Sequence, residues 1–508
     1  MQLGRVRWLL KLAVWLLAGY LLTLVLCNPA LGKSVESVQS GAWNDPATWS
    51  NGVPGAGTRV MIGAGHTISI PSPGVICGQL ETRATNKHWS TITGNGRLTI
   101  AAGGKISFVA FQNQGGVRVP LAAGGRVLFD HCTFSNTGML GIGTAQQTPL
   151  SSAIMVRNCD FRGVFGSGNQ RDYIVKINGR RGRHSGELRI IGNTFVGING
   201  GQGLRIERRD GAEITGNVFV DSSILQLDEA SGTTSVSGGH LIQGNLFAHI
   251  HDTERKRNHR VVYVIPFEEP LEFVGNYIYD LHWNDHTITG GSTLGDNKII
   301  DNIFEYGPDT TEANAIALPA VSLLVEDNIL KGSATLVSNV GNHEGSRPTI
   351  VRRNIVYNTA KIVPGLFLSE NGLPSYPLHF EENIVVGGRY AFFHNGNPPG
   401  RAVIALSDAN HFWQVETPYH LSITVTSGKQ HDTVDQDLGL PDPSRGFLAY
   451  YAHISGRKVG DPQVVAQAFA GKNGYDPLTG GQGSPDSTFT PERLHQWVAA
   501  GFRKEERR

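Results

Sequence analysis

The chain has 508 residues, of which 64 are glycine and only 17% are charged. This length allows a large core or an elongated repeat protein, and abundant glycine suits a chain with many tight turns. Outside the first 32 residues, 41 basic residues face 43 acidic ones. No basic stripe with interleaved aromatic residues occurs, which argues against a nucleic-acid partner.

The N-terminus has the features of a secretory leader. Arg5, Arg7 and Lys11 precede an apolar run over residues 12–26, and small residues lead to Gly32. This order predicts a signal peptide over residues 1–32. The mature protein would then be secreted, extracellular or periplasmic, with no membrane attachment. An uncleaved membrane anchor is the alternative, because the apolar run approaches the length that spans a bilayer.

Residues 33–75 predict an N-terminal β-cap. Trp43 and Trp49 lie among turn residues and precede two short strands at 59–62 and 65–70. Such a segment would cover the open strand edges and core at the end of a repeat fold. The stretch resembles the start of the eight-glycine extracellular module that precedes β-helices in secreted proteins. That resemblance implies a location and a capping role, not an activity.

One short signal then recurs: an asparagine, any residue, and a large apolar residue. It occurs at Asn158, Asn193, Asn217, Asn245, Asn276, Asn302, Asn328, Asn354 and Asn383, at intervals of 24–35 residues. His131 and Asn410 lie one further step of 27 residues before and after this series. Self-similarity at this period indicates stacked repeats. Helical repeats are excluded, because short β-branched strands, such as 188–191, precede the asparagines.

The repeats therefore predict a parallel β-helix over residues 76–415. Each asparagine would stack on its equivalent in the next coil about 4.8 Å away, donating to one neighbour and accepting from the other. A second strand in each repeat is expected at 174–177, 204–207, 225–228, 261–265, 287–289, 315–318, 336–338, 366–368 and 391–393. The pattern resembles the right-handed parallel β-helix, or pectate-lyase-like, superfamily. This resemblance implies an all-β fold but no single activity, because the superfamily holds lyases, hydrolases, epimerases and adhesins.

The last part of the chain, residues 416–508, lacks the repeat and predicts a C-terminal cap. Short helices are expected at 462–470 and 490–500, the second after the N-cap residue Thr490. This C-terminal segment resembles the tails of secreted bacterial β-helix proteins. The resemblance implies that the segment packs back on the solenoid.

Three cysteines follow the leader: Cys77, Cys132 and Cys159. Cys132 and Cys159 hold the same place in adjacent repeats, so stacked coils would bring their backbones within disulfide range. The alternative is a pair of buried, small apolar side chains.

The second strands carry the polar residues that could form a site. Successive side chains of a strand point to opposite faces. If the aliphatic residues face inward, the outward row reads Lys176, Arg205 with Glu207, Gln226 with Asp228, and Tyr263. A polar row of this kind suits a long acidic sugar chain as the partner.

Lys176 and Arg205, one coil apart, resemble the lysine–arginine pair of the chondroitinase-B-like and alginate-type polysaccharide lyases. The resemblance implies that Lys176 removes the carbon-5 proton of a uronate while Arg205 neutralises its carboxylate. The arginine charge favours the neutral amine that a base requires. Those lyases place acidic calcium ligands just before the lysine, whereas Asp172 is the sole acid in 168–172. No metal site is therefore predicted, and no clear motif supports a divalent-cation cofactor. Two solvated surface cations are the alternative.

A second polar cluster follows the ladder turn. His251 and His282 each come six residues after a ladder asparagine, so they should stack and could act as an acid–base pair. Their spacing fits no standard zinc signature. Arg257 and Arg260 lie in a basic loop beside them, which would attract acidic sugars. A polar turn stack beside a solvated loop is the alternative.

Together these features predict a secreted protein that acts on an acidic polysaccharide, as a lyase that works by β-elimination. Lys176 would be the base, Arg205 the neutralising group, and Tyr263 or His251 the acid. The alternatives are a non-catalytic glycan-binding or matrix protein, and a glycoside hydrolase or uronate epimerase.

Overall fold

A computed structural model describes residues 33–121, 124–144, 151–165, 173–179, 186–196, 202–209, 211–220, 225–228, 239–248, 261–264, 270–281, 286–290, 293–307, 310, 313–318, 320–332, 334–338, 349–357, 366–368, 378–394, 402–419, 423–435, 475–476 and 481–482. Nearly all of their regular structure is parallel β-strand. Within these ranges, no helix has the length and apolar character to cross a bilayer.

The chain winds into a parallel β-solenoid in which successive coils add strands to three sheets. This confirms the predicted all-β solenoid. Sheet 1 contains, in order, β1 (Ser34–Glu36), β3 (Arg59–Ile62), β6 (Gln79–Thr82), β9 (Gly103–Ser107), β12 (Arg126–Asp130), β15 (Ala153–Arg157), β18 (Leu188–Ile191), β21 (Ala212–Thr215), β24 (Leu241–Gln243), β27 (Glu272–Val274), β30 (Thr293–Ile300), β33 (Ala320–Glu326), β36 (Thr349–Arg352), β39 (Leu378–Glu381), β42 (Ala402–Asp408) and β45 (Ile423–Ser427).

Sheet 2 also has 16 strands, one after each strand of sheet 1. Its members are β2 (Gly41–Ala42), β4 (Thr67–Ser69), β7 (Ser90–Thr93), β10 (Val109–Gln112), β13 (Thr133–Gly138), β16 (Asp160–Phe165), β19 (Thr194–Val196), β22 (Val218–Val220), β25 (Leu246–Ala248), β28 (Tyr277–Leu281), β31 (Ile303–Tyr306), β34 (Ile329–Lys331), β37 (Ile355–Tyr357), β40 (Ile384–Val386), β43 (His411–Trp413) and β46 (Thr433–Val434).

Sheet 3 has 11 strands and carries the predicted polar row. Its members are β5 (Gly74–Cys77), β8 (Arg97–Ile100), β11 (Val117–Val119), β14 (Leu140–Ile142), β17 (Tyr173–Asn178), β20 (Gln202–Glu207), β23 (Leu225–Asp228), β26 (Val262–Val264), β29 (His286–Gly290), β32 (Ala313–Ala317) and β35 (Ala334–Val337). In the last coils, a separate three-stranded sheet contains β38 (Leu366–Leu368), β41 (Tyr390–His394) and β44 (Thr417–Tyr419). These strands overlap all nine predicted second strands.

The asparagine ladder is present from Asn193 to Asn410. Each amide Nδ2 donates to the Oδ1 of the next coil's asparagine, at 2.9–3.1 Å. The same Oδ1 also accepts the backbone N–H of the preceding asparagine, as in Asn276 to Asn302 at 2.8 Å. Asp432 ends the column, because its Oδ1 accepts both donors of Asn410 at 2.8 and 2.9 Å.

Asn158 does not belong to this ladder, so its assignment by the motif was wrong. Its φ of 52° places it at the left-handed turn position that Gly192 takes in the next coil. Cys159 occupies the ladder position instead, and its backbone N–H donates to Oδ1 of Asn193 at 3.0 Å. The motif tolerates a shift of one residue, because asparagine is suited to either turn position.

Cys132 and Cys159 therefore stand at the head of the ladder column. Their equivalence is confirmed, since the strands that follow them pair Thr133 with Asp160. Both thiols are free and buried, which agrees with the interpretation as small buried side chains.

Inside the solenoid, phenylalanines of successive coils stack in a column with ring centroids 4.6–5.1 Å apart. The column contains Phe111, Phe134, Phe161, Phe195, Phe219 and Phe247. Stacked rings add to the burial of apolar area, so this file fixes the coils in register along the core.

At the N-terminal end, Trp43 and Trp49 are buried and packed edge to face, with ring centroids 5.0 Å apart. A 3₁₀ helix, Pro46–Thr48, lies between them. The first strands of this region belong to sheets 1 and 2, and those sheets continue to β45 and β46. The predicted divisions at residues 75 and 415 therefore do not coincide with an end of either long sheet.

At the C-terminal end, a second 3₁₀ helix, Lys429–His431, precedes β46. Further along, β47 (Tyr475–Asp476) and β48 (Gly481–Gln482) pair antiparallel. The helices expected at 462–470 and 490–500 lie outside the described residues.

Candidate functional site

Four of the predicted site residues form one row across sheet 3. The strand register pairs Lys176 with Arg205, Arg205 with Gln226, and Gln226 with Tyr263. All four side chains are partly exposed, whereas the residues between them, such as Val175, are buried. The alternation of the strands therefore places this row on the outer face, one residue per coil.

Glu207 draws the two cations of the row together. It lies two residues after Arg205 on β20 and so shares its face. Its Oε1 lies 3.1 Å from Nζ of Lys176 and 2.6 Å from a guanidinium nitrogen of Arg205. Glu207 is only 7% exposed. A carboxylate this buried needs compensating charge, which the two cations provide.

Tyr173 joins this network, although no sequence motif selects it. A guanidinium nitrogen of Arg205 donates to its hydroxyl, and that hydroxyl donates to Oε1 of Gln226 at 3.0 Å. The Arg205 guanidinium carbon also lies 4.8 Å from the centre of the Tyr173 ring, a cation–π arrangement. Tyr173 shares the parity of the inward residue Val175 on β17 and is buried. The one available signal was an aromatic residue at the start of a strand that carries a lysine.

The arrangement can hold an anionic group, because guanidinium and ammonium converge on one carboxylate. Arg205 is oriented on three sides, by Glu207, by the Tyr173 hydroxyl and by the Tyr173 ring. Such preorganisation lowers the entropy cost of binding a carboxylate. The ion pair of Lys176 with Glu207 occupies the amine, which opposes a role as base until that contact is exchanged.

For the remaining predicted site residues, the structure describes the backbone of one and none of the others. Asp228 lies on β23 in register with Glu207, but its side chain is outside the described part of the structure. His251, His282, Arg257 and Arg260 also lie outside the described residues, so their roles stay predictions. Among the residues that the structure describes, no group of three His, Cys, Asp or Glu side chains is placed to hold a metal ion.

A separate charged cluster lies at the corner between sheets 1 and 2. Asp130 accepts hydrogen bonds from Arg157 and His131, both at 2.8 Å, and from Asn158 at 3.4 Å. Burial raises the pKa of Asp130, but the Arg157 hydrogen bond and the positive charges of His131 and Arg157 outweigh it, so the pKa lies below its ordinary value. The His131 ring stacks on Phe108, with centroids 4.9 Å apart. These contacts join three coils, which indicates a structural role.

No family profile matches the chain, and no curated protein matches it. Its function therefore has to follow from the residues of the site and their geometry.

Proposed function

We propose that this chain is a secreted β-helix protein that acts on an acidic polysaccharide by β-elimination at the outer face of sheet 3. The observation that supports the proposal is the convergence of Lys176 and Arg205, neighbours in register, on the single carboxylate of Glu207. A uronate presents the same chemical group to the same two cations.

In this proposal the uronate carboxylate takes over the interaction of Glu207 with Arg205. The guanidinium then stabilises the charge that develops on that carboxylate when the neighbouring carbon loses its proton. Lys176, released from Glu207 and having given a proton to solvent, takes the carbon-5 proton as the neutral amine. The bond from carbon 4 to the glycosidic oxygen breaks, and a double bond forms between carbons 4 and 5. The leaving oxygen gains a proton.

Tyr173 is the better-placed proton donor for that leaving oxygen. Tyr263 lies three strands from Lys176, about 14 Å along the sheet, which exceeds the reach of groups that act on one glycosidic bond. The hydroxyl of Tyr173 instead contacts Arg205 and Gln226 directly. We therefore assign Tyr263 to substrate binding further along the row.

The test is the release of unsaturated uronates from a panel of acidic polysaccharides, followed by ultraviolet absorbance. Lys176→Met and Arg205→Met should each lower the rate by about 10²–10⁴-fold. Matched controls exist on sheet 1, where Lys298 and Arg189 form ion pairs with Glu272 and Glu213 at 2.7 and 3.0 Å. Lys298→Met and Arg189→Met should keep full activity.

Absence of unsaturated product from every polymer with the unmodified protein would reject β-elimination. Equal rates in the site variants and the sheet 1 controls would reject the site. New reducing ends without the absorbance would indicate a hydrolase instead.

A second function, glycan binding without catalysis, is favoured by the double ion pair of Glu207. A lysine held 3.1 Å from a buried carboxylate can attract anions without taking part in catalysis. In that case the protein would be retarded in gels that contain acidic polysaccharide and would release no product. Lys176→Met would abolish the retardation, whereas Lys298→Met would not.

A further inference from the structure

The row on sheet 3 does not end at Lys176. Register pairs Lys176 with Gly141 on β14, and Gly141 with Arg118 on β11. Arg118 is exposed and lies two strands from Lys176, a separation of about 9.6 Å. The outer face therefore carries an arginine, a gap without a side chain, and then the two cations of the proposed site.

Arg118 differs from the cations of the proposed site in its contacts. Lys176 and Arg205 share Glu207, whereas the Arg118 side chain makes no hydrogen bond or ion pair within the described residues. Arg97, on the next strand outward, is exposed and likewise makes no ion pair with any described residue. In the described part of the chain, β8, β11 and β14 carry no carboxylate. This end of the face is thus positive, and no described residue compensates its charge.

Neither the backbone conformation nor the space around position 141 requires glycine. It lies inside a strand, and its φ is not positive. A Cβ there would meet Met139 at 3.8 Å and Val117 at 4.0 Å, which are ordinary contacts. Glycine inside a strand is nevertheless unfavourable. Because Gly141 has no side chain, it leaves open space on the outer face, where a ligand can approach the backbone closely.

We propose that the saccharide track continues from Lys176 across Gly141 to Arg118, so that a linear acidic polysaccharide lies along the solenoid axis with a second acidic group on Arg118. A sugar unit of an extended chain is about as long as one strand spacing. The ligand is therefore a polysaccharide whose acidic groups meet the sheet at every second sugar. This inference rests on the proposed function and adds a second subsite to it.

The experiment compares short and long oligosaccharides of hyaluronan and of polygalacturonate in calorimetric titrations. Arg118→Gln should weaken binding of long oligomers about tenfold, the effect of one charge-assisted hydrogen bond. Gly141→Val should weaken them at least as much by filling the gap. Short oligomers, which reach only Lys176 and Arg205, should bind as before. Arg126→Gln is the matched control, since Arg126 is also exposed but lies on sheet 1.

Valine suits a strand, and a Cβ at 141 would make only ordinary contacts, so Gly141→Val should fold with an unchanged or higher melting temperature. Long oligomers that bind both variants as tightly as the unmodified protein would overturn the Arg118 subsite and leave the proposed function standing. Failure of the unmodified protein to bind oligomers of either length would overturn both. Equal affinity for an oligonucleotide of the same charge would overturn the saccharide assignment.

Discussion

Replacing Asn302 by alanine tests the amide ladder at its centre. The Asn302 side chain is fully buried. Its Nδ2 donates to the carbonyl of Phe273 at 2.9 Å and to Asn328 Oδ1 at 2.9 Å. Its Oδ1 accepts the backbone N–H of Asn276 at 2.8 Å and the Nδ2 of Asn276 at 3.0 Å. One side chain thus serves polar groups in three successive coils.

The expected loss follows from the groups that alanine leaves behind. The Asn276 backbone N–H would be buried without an acceptor, at a cost of about 1–3 kcal/mol. The Phe273 carbonyl and one lone pair of Asn328 would also lose their donor, and a small cavity would remain. We expect a total destabilisation of about 3–5 kcal/mol.

Asn158→Ala is the matched control, because the same sequence motif includes it. Asn158 is exposed and donates to Asp130 at 3.4 Å, outside the ladder. Its replacement should cost only about 1 kcal/mol, from the left-handed backbone that alanine tolerates less well than asparagine.

Urea denaturation gives the overall loss, and hydrogen exchange locates it, since a solenoid can open coil by coil. The amide of Asn276 should exchange much faster in Asn302→Ala, while amides near the N-terminal cap keep their protection. Equal destabilisation in the two variants would refute the ladder as the source of stability.

Three further predictions concern backbone strain, acid stability and thiols. Ala409 has a φ of 54° at the turn position where Gly216 has 62° with open space around it, so in urea denaturation Ala409→Gly should raise the free energy of unfolding and Gly216→Ala should lower it, each by about 1 kcal/mol. The pKa of Asp130 is depressed in the folded protein. Its contribution to the free energy of unfolding is therefore present above the unfolded pKa of about 3.9 and is lost as pH falls through the folded value. Asp130→Asn should remove part of the stability loss below pH ~4 in acid titrations followed by circular dichroism. Burial raises the pKa of Cys77 to about 12 and raises that of Cys159 well above its ordinary value. A thiol-specific reagent at pH ~8 should therefore label both cysteines only after unfolding. Labelling of the folded protein would contradict their burial.

The repeat could be predicted in detail because most coils of the solenoid meet the same demand. From Asn193 to Asn410, each turn from sheet 1 to sheet 2 holds a side chain that both donates and accepts, and asparagine meets that need. The error at Asn158 has the same origin. Its neighbour Cys159 fills the ladder position there. Phe161 lies three residues after Asn158 whereas Phe195 lies two after Asn193, and the strand register, which pairs the two phenylalanines, shows the shift.

The outer row was also predictable, because strand alternation depends only on residue order. Lys176, Arg205, Gln226 and Tyr263 follow from counting along the second strands, and the register confirms their alignment.

The sequence by itself thus determined the solenoid, its ladder and the face that carries the polar residues, since these depend on patterns that repeat locally. Only the tertiary structure decided which groups touch: that Glu207 binds two cations, that Tyr173 orients Arg205, and that the Arg118 side chain contacts no charged partner among the residues described. Such contacts depend on side-chain direction and on the stacking of coils distant in sequence. Residue spacing alone does not encode them.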